Sequence, residues 1–235
     1  MLRLNPSTLS QAFGQQLLDG GAHLKPIFEQ TLLPLISKRL LDPSLQRSNS
    51  GSIGLGSALS LFLAAHRKAP KLVAEVGTYI GNSAAALGCG AGMAQQPVQL
   101  ITCDLHPCTQ QPFAGLTLPE GSKAQVVQGT STKMFEFLAS KQARLDMLHL
   151  DGRLMKDDLK LLGQLLKKDT LIALDDCEGD EKGHMNLDLL RRAGLIQNHV
   201  FVEPFPREIF RYWGLETRSV TGFLLPQSEI IFSRQ

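Results

Sequence analysis

The stretch that decides the fold is KLVAEVGTYIGNS, residues 71–83. Its first half is a short apolar strand that ends in Glu75, and its second half is a turn with Gly77 and Gly81 that leads into a helix. Gly77 can adopt backbone dihedral angles that are closed to other residues, and Gly81 lets a ligand approach the backbone closely. A strand, a glycine turn and a helix start in this order indicate a cofactor-binding turn in an α/β sheet.

Short apolar strands and helices alternate along most of the chain. Strands are predicted at residues 72–75, 100–104, 124–128, 146–151 and 171–175, and helices at 57–66, 82–88, 157–166 and 187–193. Residues 199–203 are predicted to be extended, and residues 221–225 and 229–233 to form a closing antiparallel pair. The alternation predicts a doubly wound, mostly parallel sheet with helices on both faces. Helical spacing of apolar residues over the first fifty positions predicts an N-terminal helical cap.

Composition restricts the function classes. With 235 residues, 43% of them hydrophobic, the chain is long enough for one α/β domain with a full core. The formal charge of +2 offers no basic field for a nucleic-acid backbone, so small or neutral partners are favoured. The apolar run at residues 53–65 is too short to span a bilayer. Since the four cysteines also lack paired C-x-x-C spacing, we expect a cytoplasmic protein without a membrane segment.

The segment EVGTYIGNSAAAL, residues 75–87, resembles the first motif of class I S-adenosylmethionine-dependent methyltransferases, and is especially similar to their small-molecule O-methyltransferase branch. The resemblance implies a Rossmann-like, seven-stranded sheet over residues 51–235 that forms one structural unit with a cap at residues 1–50. It also implies S-adenosyl-L-methionine as the cofactor. The residues of this motif that it assigns to cofactor binding are Glu75, Gly77, Thr78, Tyr79, Gly81 and Ser83.

Two further strand ends belong to the cofactor half of the site. Asp104 ends the second strand, where its two oxygens can accept both ribose hydroxyls, and this position matches the family's second motif. The third strand ends in Gly129-Thr130-Ser131, which is similar to the Gly-Asp-Ser that the family often places beside adenine, with Thr130 departing from Asp. The alternative for Glu75 and Asp104 is that they only cap turns. A second glycine group, G-x-G-x-G at residues 88–92, follows a helix and is expected to mark its end.

Acidic residues also end the fourth and fifth strands, as Asp151-Gly152 and Asp175-Asp176. Three like charges need a counter-ion, and Mg²⁺ prefers oxygen ligands. The segments LDMLHLDG and LIALDD resemble the metal-binding region of catechol-type and macrolide-sugar O-methyltransferases. That resemblance implies Asp151, Asp175 and Asp176 as magnesium ligands, and Asp151 is also placed among the cofactor-binding residues. The alternative is that the aspartates cap the helices that follow.

The sequence leaves three candidates for the general base that would take the proton of the substrate hydroxyl. The catechol-type enzymes have a lysine three residues after the first metal aspartate, where this chain has Leu154. The candidates are Asp151 itself, which the resemblance to the sugar branch implies, Lys156 and His184. His184 is expected in a polar loop at residues 178–186, and His149 is expected to pack in the core.

The leading hypothesis is a magnesium-assisted O-methyltransferase that acts on a small hydroxylated molecule. Two alternatives remain: a metal-independent N-methyltransferase, and a degenerate relative that serves as an interaction module. The N-terminal helices either line the substrate site or form a homodimer interface. The aromatic residues Phe205, Phe210, Tyr212 and Trp213 form either a lid or core packing.

Overall fold

The fold is known from a computed structural model, which describes residues 6–45, 52–107, 111–178, 182–203 and 220–229. The aromatic group at 205–213 and Cys108 lie outside the described residues. Seven strands form one sheet in the order β3-β2-β1-β4-β5-β7-β6. The strands are β1 (Leu72–Val76), β2 (Gln99–Asp104), β3 (Lys123–Gln128), β4 (Leu145–Leu150), β5 (Leu166–Leu174), β6 (His199–Val202) and β7 (Gly222–Pro226). β1 to β5 pair in parallel, and β7 pairs antiparallel with both β5 and β6. The predicted doubly wound α/β fold is confirmed.

Helices cover both faces of the sheet, and a helical N-terminal segment precedes β1. This segment contains α1 (Pro6–Gly21), a 3₁₀ turn (Ala22–Leu24), α2 (Lys25–Ile27), a π-helical turn (Phe28–Leu32) and α3 (Leu33–Leu41). The other helices are α4 (Leu55–Lys68), α5 (Asn82–Gly92), α6 (Ser131–Ser140), α7 (Lys156–Leu165) and α8 (Lys182–Arg192). Among the described residues, no helix combines the length and the apolarity that a membrane crossing requires.

The core lies in two layers because successive side chains of a strand point to opposite faces. Val73 of β1 packs in the layer formed by the N-terminal segment, α4 and α5. Its neighbour Ala74 packs in the layer formed by α6, α7 and α8. Met147 and Leu148 of β4 divide in the same way. Since both faces of these strands are buried, they are mostly apolar, with Glu75, Asp146 and His149 as the exceptions, and this explains why the strands could be found in the sequence.

Three sequence expectations are wrong. The helix expected to end at residue 88 continues to Gly92: Gly90 lies against the backbone of Phe62 in α4, while Gly88 and Gly92 lie against Phe113 and Leu118. The expected loop at 178–186 is helical from Lys182. The strand expected at 221–225 does form, as β7, but it pairs with β6 and β5, while Gln227–Glu229 is a 3₁₀ turn. Residues 230–233 of the expected pair lie outside the described residues.

Candidate active site

The carboxyl ends of β1, β2, β3 and β4 border a cavity of about 400 Å³. Parallel strands bring these ends to the same edge of the sheet, which is where open α/β sheets bind ligands. The cavity is lined by Val76, Gly77, Cys103, Asp104, Leu105, His106, Gly129, Thr130, Ser131, Gly152, Arg153, Met155 and Lys182. It therefore connects the predicted cofactor residues with the loop that follows the predicted metal ligand Asp151.

The glycine turn between β1 and α5 needs its glycines. Gly77 has φ +100°, and a Cβ on it would lie 3.2 Å from the carbonyl carbon of Asp151. Gly81 also has a left-handed conformation, at φ +75°. Tyr79 between them has φ +43°, and its N–H donates to Oδ2 of Asp104 at 2.8 Å. The turn thus lies against both neighbouring strand ends, and a side chain at position 77 would disturb this contact.

The N-terminal helices hold the glycine turn through one buried side chain. Arg39 of α3 donates to the carbonyl oxygens of Gly81 at 2.6 Å, Pro112 at 2.9 Å and Ala114 at 3.0 Å. Burial lowers the pKa of Arg39 to about 10, so the guanidinium stays charged at neutral pH. The helical cap is therefore connected directly to the candidate cofactor turn.

Asp104 lies at the cavity wall with a fixed orientation. Its Oδ1 accepts the N–H of His106 at 2.9 Å, while Oδ2 accepts that of Tyr79. Thr130 and Ser131 line the same wall. Oγ1 of Thr130 accepts the N–H of Lys133 and caps α6, and the Ser131 hydroxyl donates to the buried Asp158 at 2.6 Å. These bonds place the three side chains at the cavity as the sequence predicts, and their binding role stays a prediction.

Glu75 lies in the core beneath the turn. Its carboxylate accepts the hydroxyl of Thr102 at 2.7 Å and lies 3.1 Å from Nδ1 of His149, and the described residues that line the cavity do not include it. The hydroxyl of Thr78 lies 2.6 Å from that of Thr102 and extends the chain of bonds into the turn. Although burial opposes the charged imidazole, the hydrogen bond and charge of Glu75 raise the pKa of His149. The geometry gives Glu75 a structural connection to β4, and its predicted contact with the cofactor remains untested.

A small recess is lined jointly by the glycine turn, the start of α5 and Asp151. It is bordered by Ser83 and Asn82 at the start of α5, together with Thr78 and Tyr79 of the turn. The amide nitrogen of Asn82 donates to the hydroxyl of Ser52 at 2.8 Å. Ser83, predicted to bind the cofactor, is thus brought to the side of the turn that faces Asp151.

The three predicted metal ligands come together. Carboxylate oxygens of Asp151, Asp175 and Asp176 lie within 4.8 Å of one another. Asp175 is only 1% exposed, and its Oδ1 accepts hydroxyl hydrogen bonds from Ser57 of α4 at 3.2 Å and Thr221 at 3.0 Å. Burial and the charge of Asp175 raise the pKa of Asp151 to about 7, and burial also raises the pKa of Asp175. We call these three residues the acidic cluster.

Sequence reasoning missed Lys182, the first residue of α8. Its ammonium lies 2.8 Å from Oδ1 of Asp151, 2.9 Å from the backbone oxygen of Asp151 and 2.7 Å from Oδ2 of Asp176. These charges raise the pKa of Lys182 against the effect of burial. The available signal was the need for a counter-ion near three carboxylates, together with a lysine six residues after Asp176. It was missed because residues 178–186 were interpreted as a polar loop.

The two other candidate bases lie apart from the acidic cluster. Nε2 of His184 lies 3.0 Å from the carbonyl oxygen of Cys177, and its ring packs edge-on to Phe201. Lys156 is exposed at the start of α7. Of the predicted catalytic residues, the structure therefore brings Asp151 alone into the acidic cluster.

The acidic cluster suits a hard divalent cation, because it offers carboxylate oxygens at short mutual distances and one member is held by two hydroxyl donors. S-adenosylmethionine likewise suits the cavity edge, where Asp104 faces the space beside a glycine turn that permits close approach. Both groups fit the residues that are present.

Comparisons with known proteins agree with this fold. Residues 74–177 match the protein family described as Methyltransferase domain. The sequence has no match among the curated proteins. The matched segment contains the glycine turn, Asp104 and the complete acidic cluster.

Solved structures share the fold at low sequence identity. The cofactor-bound Rv0187 from MTB has a TM-score of 0.57 at 18% identity, over 96% of this chain and 99% of that one. The SAH-bound methyltransferase PaMTH1 from Podospora anserina has a TM-score of 0.51 at 15% identity, over 96% and 98%. The O-methyltransferase from Bacillus cereus in complex with SAH has a TM-score of 0.50 at 11% identity, over 90% and 99%. The predicted resemblance is confirmed: the chain has the fold of the S-adenosylmethionine-dependent methyltransferases, and residues 74–177 match a methyltransferase domain.

Proposed function

We propose that the protein transfers the methyl group of S-adenosylmethionine to a hydroxyl oxygen of a small molecule, with a divalent cation, Mg²⁺, held by the acidic cluster. One observation carries this proposal. The cavity beside Asp104 extends to Lys182, which is bonded to the acidic cluster, so a donor and an acceptor can meet along one edge of the sheet.

The donor would bind along this edge. On this proposal Asp104 accepts the ribose hydroxyls and Thr130 and Ser131 pack beside the base, which is supported by the position of all three in the cavity wall. Gly77 allows the backbone to approach the donor, and Asp151 lies across the turn from it, where it can accept a bond from the amino group. The SAH bound by the Bacillus cereus and Podospora anserina proteins supports this choice of donor.

Asp151, Asp175 and Asp176 would hold the cation. When bound, such an ion lowers the pKa of a substrate hydroxyl and orients its oxygen. In the transfer, the new bond joins the methyl carbon to the hydroxyl oxygen, the carbon–sulfur bond breaks with its electrons left on sulfur, and the hydroxyl proton is lost. We assign that proton to Asp151, as the resemblance to the sugar branch implies, because His184 and Lys156 lie apart from the cluster. The Bacillus cereus neighbour, an O-methyltransferase by its title, supports oxygen as the acceptor.

A second candidate is methyl transfer without a metal. The ammonium of Lys182 already neutralises part of the acidic cluster, and this favours the metal-independent alternative, including transfer to nitrogen. An interaction module remains the alternative in which the protein is not an enzyme.

The test combines binding with turnover. Calorimetry with S-adenosylmethionine should show binding, and a panel of diols, phenols and amines should be assayed with labelled donor, with Mg²⁺ or with chelator. The proposal expects labelled oxygen acceptors, loss of turnover in chelator, and a fall of about a hundredfold for Asp175→Asn. Turnover that survives chelator selects the metal-independent candidate. If the protein does not bind the donor, both enzyme proposals fail.

A further inference from the structure

We infer that Lys182 is a tethered counter-ion that occupies Asp151 and Asp176 until a divalent cation replaces it, so that metal binding and departure of the lysine are one event. The inference rests on the proposed metal site. The ammonium of Lys182 bonds to carboxylate oxygens of two of the three predicted ligands, at 2.8 Å from Asp151 and 2.7 Å from Asp176.

Contacts at the start of α8 hold Lys182 beside the acidic cluster. Gly183, the next residue, packs so tightly against the turn after β5 that a Cβ on it would lie 2.5 Å from the backbone oxygen of Asp175. Asp176 has a left-handed backbone at φ +55°, which is uncommon for a residue with a side chain. The side chain of Asn186 donates to the backbone oxygen of Gly152 at 2.8 Å and accepts the N–H of Leu154 at 3.0 Å. The start of α8 is therefore fixed to the loops after both β4 and β5.

The hydrogen bonds of the cluster divide between two kinds of donor. Asp175 is held by the hydroxyls of Ser57 and Thr221, whereas Asp151 and Asp176 are held by Lys182. Asp175 can thus keep its donors on one oxygen when a cation arrives. Asp151 and Asp176 must exchange theirs, because two cations that share the same oxygens repel strongly in a partly buried site.

The cavity beside the acidic cluster has space for the displaced ammonium of Lys182. Lys182 lines the cavity of about 400 Å³, and its side chain keeps 27% exposure. A divalent ion must approach the carboxylate oxygens to about 2.0–2.6 Å, closer than the ammonium lies. The ammonium can then turn from the cluster into the cavity without unfolding α8. In this arrangement Lys182 lowers metal affinity and protects the metal-free cluster from its own repulsion.

The test is calorimetric titration of MnCl₂ into metal-free protein, in the wild type, in Lys182→Met, and in Lys160→Met, a control that removes an exposed charge from α7. The inference predicts that Lys182→Met binds Mn²⁺ about tenfold more tightly than the wild type, whereas Lys160→Met changes affinity by less than about twofold. Equal or weaker binding by Lys182→Met overturns the inference but leaves the proposed metal site standing. Failure of all three proteins to bind Mn²⁺ overturns both.

A second measurement uses the unmodified protein, in case Lys182→Met does not fold. Acetic anhydride labelling, read by mass spectrometry, reports how available each lysine amine is. We expect Mn²⁺ to accelerate acetylation of Lys182 by about fivefold or more while Lys160 is unchanged, since an amine released from two carboxylates is freer to react. A Lys182 rate that Mn²⁺ leaves unchanged or lowers overturns the inference.

Discussion

Gly90 of α5 lies directly on the backbone of Phe62 in α4. A Cβ on Gly90 would lie 2.9 Å from the carbonyl carbon of Phe62 and well inside contact distance of its oxygen. The obstacle is backbone, which cannot turn aside as a flexible side chain can. Gly90 thus sets the distance between α4 and α5 on one face of the sheet, and α5 begins directly after the glycine turn.

Gly90→Ala should lower the free energy of unfolding by about 1–3 kcal/mol or more, because the new methyl group has no free space. Gly163→Ala is the matched control: it also lies within a helix, α7, but its Cβ would make only an ordinary contact with Leu195 at 3.6 Å. This second variant should gain about 0.5–1 kcal/mol from helix propensity. Urea denaturation measures both. Similar effects in the two variants would contradict the packing argument.

Arg39→Met should weaken S-adenosylmethionine binding about tenfold and lower stability by about 2–4 kcal/mol, because three carbonyl groups lose a charged donor and the glycine turn loses its anchor. Arg192→Met, at an exposed position of α8, serves as the control for loss of one positive charge. Calorimetry and denaturation give the two values. Unchanged donor affinity in a destabilised Arg39→Met would limit Arg39 to a role in folding.

Two variants of Glu75 can distinguish its structural bond to His149 from its predicted contact with the cofactor. Glu75→Gln keeps a partner for Thr102 but removes the charge beside His149, so it should lower the pKa of His149, measured by NMR, and leave donor affinity nearly unchanged. Glu75→Ala should cost about 3–5 kcal/mol because it leaves a buried imidazole without its partner. A large loss of donor affinity in a stable Glu75→Gln protein would instead support direct contact with the cofactor.

Stability should fall as pH rises in the metal-free protein. The folded-state pKa of Asp151, about 7, lies above its ordinary value of 3.8, so the folded state holds the proton more tightly than the unfolded state between these values. This contribution is complete below the ordinary pKa and is lost as pH rises through about 7, and the raised pKa of His149 acts in the same direction.

We therefore expect a smaller free energy of unfolding at pH 8 than at pH 5.5, measured with urea in the presence of chelator. Asp151→Asn should flatten the dependence by up to about 1.4 kcal/mol per pH unit within that window. Lys160→Met should keep the wild-type slope. An Asp151→Asn curve parallel to the wild type would contradict the raised pKa.

Asp104→Asn should weaken S-adenosylmethionine binding by about tenfold or more, since it removes the charge proposed to receive the ribose hydroxyls. It should also lower the free energy of unfolding by about 1–3 kcal/mol, because the amide NH2 cannot accept one of the two N–H bonds from Tyr79 and His106. Calorimetry measures the affinity. Thr130→Val, on the same wall, should have a smaller effect, because the hydroxyl of Thr130 is engaged as the cap of α6. A larger loss of donor affinity in Thr130→Val than in Asp104→Asn would indicate that the protein recognises the base more than the ribose.

The central part of the fold was predictable from the sequence because β1, β4 and residues 171–174 of β5 are buried on both faces and therefore mostly apolar. The edge of the sheet was less predictable. β7 takes its partners from β5 and β6 rather than from the residues next to it, and such pairing depends on contacts between distant segments that local patterns do not record. The glycines at 88–92 led to a wrong helix end for a related reason, because they lie against residues distant in the sequence: Phe113 for Gly88, Phe62 for Gly90 and Leu118 for Gly92.

The residues of the candidate site also differ in how far the sequence could predict them. Asp104, Asp151, Asp175 and Asp176 were found because each follows a recognisable strand. Lys182, Ser57, Thr221 and Arg39 reach the site from helices or from a strand end far away in the chain, and no local pattern connects them to it. The burial of Glu75 was not predicted either, because its partners Thr102 and His149 lie on neighbouring strands that are distant in the sequence.

The position of β7 between β5 and β6 also has a consequence for synthesis on the ribosome, where strands emerge in chain order. Until Gly222–Pro226 arrives, the outer edge of β5 is open and β6 lacks the neighbour that it pairs with in the described sheet. Asp175 meanwhile lacks the hydroxyl of Thr221. A nascent chain halted before residue 221 thus exposes strand edges whose unpaired N–H and C=O groups can pair with other chains. Such a chain would also carry all three acids of the acidic cluster before Asp175 gains its second hydroxyl donor, so formation of β7 completes the sheet and the support of Asp175 together.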